Sequence, residues 1–217
     1  KTVSGIHVML ADKSADVPAV RVDFNPSKID FENSMPSIVS CLKHIRITRA
    51  DFAVDYTWDL SKYHYCTSSP KKEITYRDKA GKLETLYLGT GGAASRYRIY
   101  NKAVEQNQKG VVWWRIEQQF RFAPVGENLW TCQPFNDLHI IRKTFDKLPI
   151  KERAMVQYLV NDPDGFSELD KNTRAKYRKI IREYADEETL PFNHPEDAII
   201  EKSESLITDL KMILGVK

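Results

Sequence analysis

Long apolar runs are missing from these 217 residues: none approaches the ~20 needed to span a bilayer, which argues against a membrane helix. The opening KTVSGIHVMLADK also lacks the extended apolar core of a signal peptide. Cysteine is scarce. Cys41, Cys66 and Cys132 are odd in number, far apart and without a CxxC pair. That excludes a disulfide framework or zinc module and points to a reducing cytoplasm. Charge of one sign is absent too: 33 Lys and Arg against 30 Asp and Glu leave a net charge of only +3. Bulk charge therefore names no partner. Gly89, Gly91 and Gly92 form a small glycine cluster, but no Gly-Lys-Ser and no helix start follow. A flexible bend, not a nucleotide loop, is expected there.

What is present is strand alternation. GIHVML and AVRVDF read as short strands before NPSKIDF turns the chain, and SMPSIVSCLKHI reads as a helix opening with Ser34 as cap and Pro36 near its first turn. RITRADFAVDYTW, KEITYRD, LETLYLG, SRYRIYNK and VVWWRIEQQFRF then alternate or are β-branched and aromatic, with DKAGK as a hairpin turn. From NDLHIIRKTFDKL onward the pattern turns helical, through KERAMVQYLVND, LDKNTRAKYRKIIREYADE and HPEDAIIEKSESLITDLKMILG. The fold class predicted is α+β: a central, mainly antiparallel sheet with flanking helices and a helical C-terminal third. A boundary near Pro134 would separate a β-rich region, residues 1–134, from a helical region, residues 135–217, unless the helices simply cover the sheet.

Residues two apart on a strand share a face. One face of RITRADFAVDY carries Arg49, Asp51 and Asp55, against Phe52, Val54 and Tyr56 on the other. In SRYRIYNK the split is Arg96, Arg98, Tyr100 and Lys102 against Tyr97 and Ile99. In VVWWRIEQQFRF it is Trp113, Arg115, Glu117, Gln119 and Arg121 against Trp114, Ile116 and Phe120. The polar faces are sorted by type: carboxylates on one strand, cations around a tyrosine on the next, a lone glutamate among arginines on the third. Together they supply acidic metal ligands, a phenol and phosphate-binding cations. Tyr97 falls on the apolar side and Tyr87 has no flanking cation, although a strand tyrosine taken by itself is more often packing than chemistry. Local basic stretches, KHIRITR, Arg96 to Lys102 and KNTRAKYRKIIR, suit contact with phosphate.

TRADFAVDY, LYLGT with SRYRIYNK, and WWRIEQQFR resemble, in order, the R-x-D-x-A-x-D strand, the Y-x-G segment with R-x-Y-x-K, and the closing W-x-R-x-E strand of the Rep_trans replication initiation factors. These are initiators of rolling-circle plasmids, related to relaxases of some conjugative elements, and the resemblance covers roughly residues 46–122. It implies a bacterial, cytoplasmic, metal-dependent endonuclease and strand transferase whose nucleophile is Tyr100, leaving a 5′-phosphotyrosine and a free 3′-hydroxyl. Arg98 and Lys102 would supply the positive field that a phenol with a pKa near ~10 needs. Asp51 and Glu117, with Asp55 third, would hold the metal. His7, His44, His64, His139 and His194 stand singly, without a His-hydrophobe-His pair, so the ligands are oxygens and the ion Mg²⁺ or Mn²⁺. Arg49, Arg96 and Arg115 would contact DNA. The resemblance further implies a homodimer, a host helicase as partner, and double-stranded origin DNA with a single-stranded or hairpin nick site. Origin recognition would fall to the C-terminal part, with Lys171, Arg174, Lys176, Arg178, Lys179 and Arg182 as its cations.

Two other readings compete. A non-catalytic nucleic-acid-binding module, with Trp113 or Tyr100 stacking bases, explains the cations and aromatics but leaves Asp51, Asp55 and Glu117 facing a polyanion without purpose. Independently, Asp51 and Asp55 could simply pair with Arg49 and Arg115 as a surface ion network. A tyrosine recombinase would place its tyrosine on helices among several arginine and histidine partners, an arrangement this sequence lacks.

Overall fold

The computed structural model describes residues 2–3, 6–10, 20–25, 28–42, 44–123, 128–142, 145, 147–186 and 190–214. The turn at Pro26 and Ser27, Lys43 of the first basic stretch and the end of the acidic run, residues 187–189, lie outside them.

The chain forms two compact units, one of residues 1–46 with 204–217, the other of residues 47–203. In the first, β1 (Thr2–Val3), β2 (Ile6–Leu10) and β3 (Val20–Phe24) make an antiparallel meander, followed by α1 (Phe31–Ser40). The helix starts earlier than Ser34 because Asp30 caps it, its carboxylate accepting from the Asn33 backbone N–H at 3.3 Å. It also ends before His44, which sits in the left-handed region at φ 55°.

The larger unit carries the candidate site. Its elements run β4 (Arg49–Tyr56), β5 (Tyr63–Thr67), β6 (Glu73–Arg77), β7 (Leu83–Leu88), β8 (Ser95–Asn101), α2 (Lys102–Glu105), β9 (Trp114–Arg121), β10 (Leu138–Arg142), α3 (Ile150–Asn161), α4 (Lys171–Asp186) and the start of α5 (Pro195–Leu214). Five strands build one antiparallel sheet in the order β4-β9-β8-β7-β6. An α+β fold with a central antiparallel sheet is what the alternation predicts. The β6–β7 hairpin closes through Gly81 at φ 80°, a conformation only glycine adopts without strain, as DKAGK requires.

One difference concerns Leu138–Arg142, which reads as the beginning of the helical part but forms β10, paired antiparallel with β5. A short apolar run such as LHIIR fits a strand or a helix turn equally well, and pairing with YHYCT decides the matter. The ribbon so formed is a middle layer. Its inner side (Tyr63, Tyr65, Leu138, Ile140) packs against the sheet's apolar side, where Trp114, Ile116, Tyr97 and Ile99 are buried. The other side (Cys66, Ile141) packs with Val156 and Val160 of α3 and Ile181 of α4. Gln118, 2 % exposed, is one of two buried polar residues among those described, with Thr67; it receives the Phe135 backbone N–H and donates to the Ser95 hydroxyl. No helix among the described residues is long and apolar enough to cross a membrane.

Candidate active site

Cross-strand register assembles the polar face into rungs. Asp55, Arg115, Tyr100 and Thr85 stand directly opposite one another across β4, β9, β8 and β7. The next rung holds Ala53, Glu117, Arg98 and Tyr87, and the one after it Asp51, Gln119 and Arg96. The three polar faces inferred from alternation are therefore one surface, with Tyr100 near its middle.

The Tyr100 side chain is not laid open on that surface. It is only 2 % exposed, since Arg98 lies flat on its ring, guanidinium carbon 3.8 Å from the centroid, and the Lys102 ammonium stands 5.5 Å from it. Both cations are held there by one carboxylate, Glu105, which bonds Arg98 at 3.1 Å and also Lys102. The local sequence explains this return. Asn101 ends β8 and caps α2, its side chain accepting from the Val104 N–H at 3.1 Å, so the turn of helix after the tyrosine folds Lys102 and Glu105 back over the ring. Glu105 carries a role that the strand pattern did not disclose; its N-K-x-x-E spacing behind an Asn cap was the available signal.

Arg98 and Lys102 thus cover the phenol's ring. The cation at its oxygen is Arg115, which interacts with the hydroxyl and is itself gripped by Asp55 through two bonds of 2.7 Å, Nε to Oδ1 and Nη2 to Oδ2. Burial pushes the Tyr100 pKa up and the Glu117 charge adds to that, outweighing the downward pull of Arg115 and Lys102. The lowering expected from flanking cations is thus outweighed, chiefly by burial and then by the Glu117 and Glu105 charges. Tyr97, by contrast, is fully buried on the opposite side with its hydroxyl bonded to Asp137. Tyr87 does have cations, supplied across the strand: Arg96 lies 4.4 Å and Arg98 5.9 Å from its ring centroid. Gly89 permits that approach, being at φ 102° with the Ser95 carbonyl 3.1 Å from where a Cβ would stand.

The carboxylates divide. Asp51 is bound by Arg49, through Nε at 2.8 Å and a second bond, and Asp55 by Arg115. Glu117 makes no ion pair among the described residues; burial raises its pKa, the nearby Asp51 charge raises it further, and Arg98, Arg115 and Arg49 pull it back. Among the described residues no three His, Cys, Asp or Glu side chains could by themselves hold a metal ion. Asp51 and Glu117, two carboxylates that repel one another on adjacent strands, do fit an ion such as Mg²⁺, which takes one or two protein carboxylates and completes its shell with water and phosphate oxygens.

The cations of α4 split by residue type. Arg174 donates to the Leu169 and Ser167 carbonyls at 2.8 and 3.3 Å, Arg182 to the Ser68 carbonyl at 2.8 Å, and Arg178 lies over the Phe166 ring. Lys176 and Lys179 pair with Glu152 and Glu183 while their side chains stay more than half exposed, and Lys171 is exposed. The arginines dock the helix; the lysines form its outer charge. His139 and His194 have structural partners: His139 bonds the Ser68 hydroxyl, and His194 bonds the Leu138 carbonyl and receives the Glu196 N–H at the start of α5.

No family model matches the sequence. Three curated replication initiation proteins from Staphylococcus aureus are 33 %, 31 % and 30 % identical over 177, 175 and 174 residues. Each alignment takes 75–76 % of this chain and 54–55 % of the relative, so the chain spans about half the length of the curated relatives it matches. A solved rolling circle replication initiator protein from Geobacillus stearothermophilus is 21 % identical, with a TM-score of 0.35 over 49 % of each chain. Over the residues so aligned, the chain belongs to the family of replication initiation proteins.

Proposed function

We propose that this chain nicks and rejoins one strand of origin DNA to begin rolling-circle replication, with Tyr100 as the nucleophile. The observation that carries this reading is the rung Asp55–Arg115–Tyr100, in which an anchored guanidinium meets the phenol oxygen beside a carboxylate pair. The staphylococcal relatives named as replication initiation proteins, together with the R-x-Y-x-K strand, support the choice of reaction.

In the resting arrangement Glu105 occupies Arg98 and Lys102. A DNA phosphate competes for the same two cations; its arrival moves them from the ring and uncovers Tyr100. Arg98 keeps an unpartnered buried Nε–H, so its donors are not exhausted by Glu105. The phenol oxygen then bonds to phosphorus as the bond to the 3′ oxygen breaks; the phenol proton leaves for water and the 3′ oxygen takes one up. The product is a 5′-phosphotyrosine and a 3′-hydroxyl that primes synthesis, and the retained ester energy allows rejoining without a nucleotide. Asp51 and Glu117 would hold Mg²⁺ or Mn²⁺. When bound, that ion supplies charge stabilisation at the phosphate. Origin recognition belongs to α4, through Lys171, Lys176 and Lys179, and the protein works as a homodimer with a helicase of its bacterial host.

The test is incubation of labelled single-stranded origin DNA with the protein and Mn²⁺. A denaturant-stable protein–DNA adduct should form, and should vanish in Tyr100→Phe. The pairing of Asp51 and Asp55 with arginines favours one other reading, a non-catalytic nucleic-acid-binding face. Binding without any adduct would decide for it.

A further inference from the structure

The polar surface is not the same on both sides of Tyr100. Toward β9 and β4 it holds Asp51, Asp55 and Glu117 interleaved with Arg49, Arg115 and Arg121. Toward β7 and the edge strand β6 the residues alternating onto it are Ile74, Tyr76, Thr85, Tyr87 and, on β8, Arg96, and none is acidic. Tyr76 stands opposite Thr85, which stands opposite Tyr100, so the three occupy one rung. Ile74 stands opposite Tyr87 in the next. Large apolar groups on a free sheet face are normally covered, yet Tyr76 is 56 % and Ile74 38 % exposed. The Tyr76 and Tyr87 rings meet edge to face at 6.1 Å, and Arg96 sits against the other ring of the pair at 4.4 Å. Tyr76 thus stays more than half exposed while its partner ring carries the Arg96 guanidinium.

We infer that Tyr76, supported by Tyr87 and Arg96, is a stacking platform for unpaired bases of single-stranded DNA next to the attacked phosphate. The inference rests on the nicking reading and adds which way the strand lies: over β7 and β6, away from the carboxylates. Charge allows it: the carboxylates of β4 and β9 are matched by Arg49, Arg115 and Arg121, whereas Arg96 makes no ion pair among the described residues and leaves uncompensated positive charge for a polyanion over β7. Reach permits it. Neighbouring strands are about 4.8 Å apart, so β7 and β6 lie roughly 5 and 10 Å from the Tyr100 strand, one to three nucleotides at about 3.4 Å or more each. The platform needs unpaired bases, since a duplex hides the base faces that an aromatic ring can stack on, and such stacking tolerates any sequence.

The experiment compares binding, in EDTA so that no cleavage occurs, of fluorescein-labelled oligothymidine of about 20 nucleotides with an abasic oligonucleotide of equal length and charge, a length above the ~4–16 nucleotides that a single-strand-binding fold covers. Tyr76→Ala should weaken oligothymidine binding by about 5- to 150-fold, the equivalent of stacking one base, and leave abasic binding within about twofold. Tyr76→Phe should retain both. Equal losses on the two probes, unchanged binding to both, or a parent protein that does not prefer oligothymidine would each overturn the inference. So would a change of oligomeric state by light scattering in place of a change in affinity, which would make β6 a protein contact. Adduct formation by Tyr100 is scored separately. Its absence with the Tyr76 effect intact would remove nicking and keep the platform; the reverse would keep nicking and remove the platform.

Discussion

Asp55→Ala and Arg115→Ala separate two roles for the same carboxylate. As a metal ligand, Asp55 acts on ion affinity; as the anchor of Arg115, it acts on the phenol. Two charge-assisted bonds of 2.7 Å join the pair, whose side chains are 45 % and 25 % exposed. Solvent at that exposure limits their coupling to about 0.5–1 kcal/mol, even with bidentate geometry. Each kcal/mol shifts Tm by about 2–4 °C in a chain of this size. Activity should change far more than stability. Removing Arg115 takes a preorganised donor from the reacting centre, a loss of roughly 10²–10³ in rate. Removing Asp55 leaves that donor present but unheld, and a loss of about 10- to 100-fold is expected, the scale seen when groups that orient functional side chains are deleted. Single-turnover nicking of a labelled origin oligonucleotide at saturating Mn²⁺, alongside thermal unfolding of both single variants and the double variant, measures these terms. Burial opposes ionisation of Asp55, but Arg115 outweighs it and the folded pKa lies below the ordinary 3.8. The pair's contribution is thus fully present above about pH 3.8 and is lost as pH falls through the lower folded value. If Asp55→Ala abolished Mn²⁺ binding while Arg115→Ala nicked at the parent rate, the anchoring role would be refuted.

Glu117→Gln should act with opposite signs on stability and function. Its raised pKa means that the folded state disfavours the charge above the usual carboxylate range, so the variant should unfold at a higher temperature near pH 7 without divalent ion, yet lose Mn²⁺-dependent nicking; a lower Tm would contradict the assignment. Replacing Lys171, Lys176 and Lys179 together by Ala should reduce the slope of log affinity against log salt for origin duplex by about 0.9 for each phosphate that the variant no longer neutralises. Arg174→Ala should instead destabilise the protein by about 1–3 kcal/mol, because two carbonyls lose their donor; chemical denaturation distinguishes the two outcomes. Burial holds the His194 pKa below the ordinary 6.5, so stability should decline as pH falls below about 6.5 toward the folded value, and His194→Gln should flatten that decline in a pH series of thermal melts.

The division between what sequence and fold each decided follows from the range of the interactions. Alternation within a strand is local: a side chain at one position dictates the face of the residue two places on. The sequence alone therefore put Asp51 and Asp55 on one face and Glu117 away from Ile116, as the strand burial shows, and Tyr100 opposite in sense to Tyr97, as the register shows although both rings are buried. Register between strands is not local. Nothing in SRYRIYNK indicates that Arg115, fifteen residues on in the numbering, meets the Tyr100 oxygen while adjacent Arg98 and Lys102 turn to Glu105. The same holds for Tyr87, bare of cations in its own strand and given two by β8. It holds again for Leu138–Arg142, whose apolar run became a strand only because β5 offered a ladder. On α4 the sequence shows six cations alike; only packing against Ser68, Leu169 and Phe166 sorts docking arginines from outward lysines. Composition and period state which residues share a surface, and tertiary register decides which of them touch.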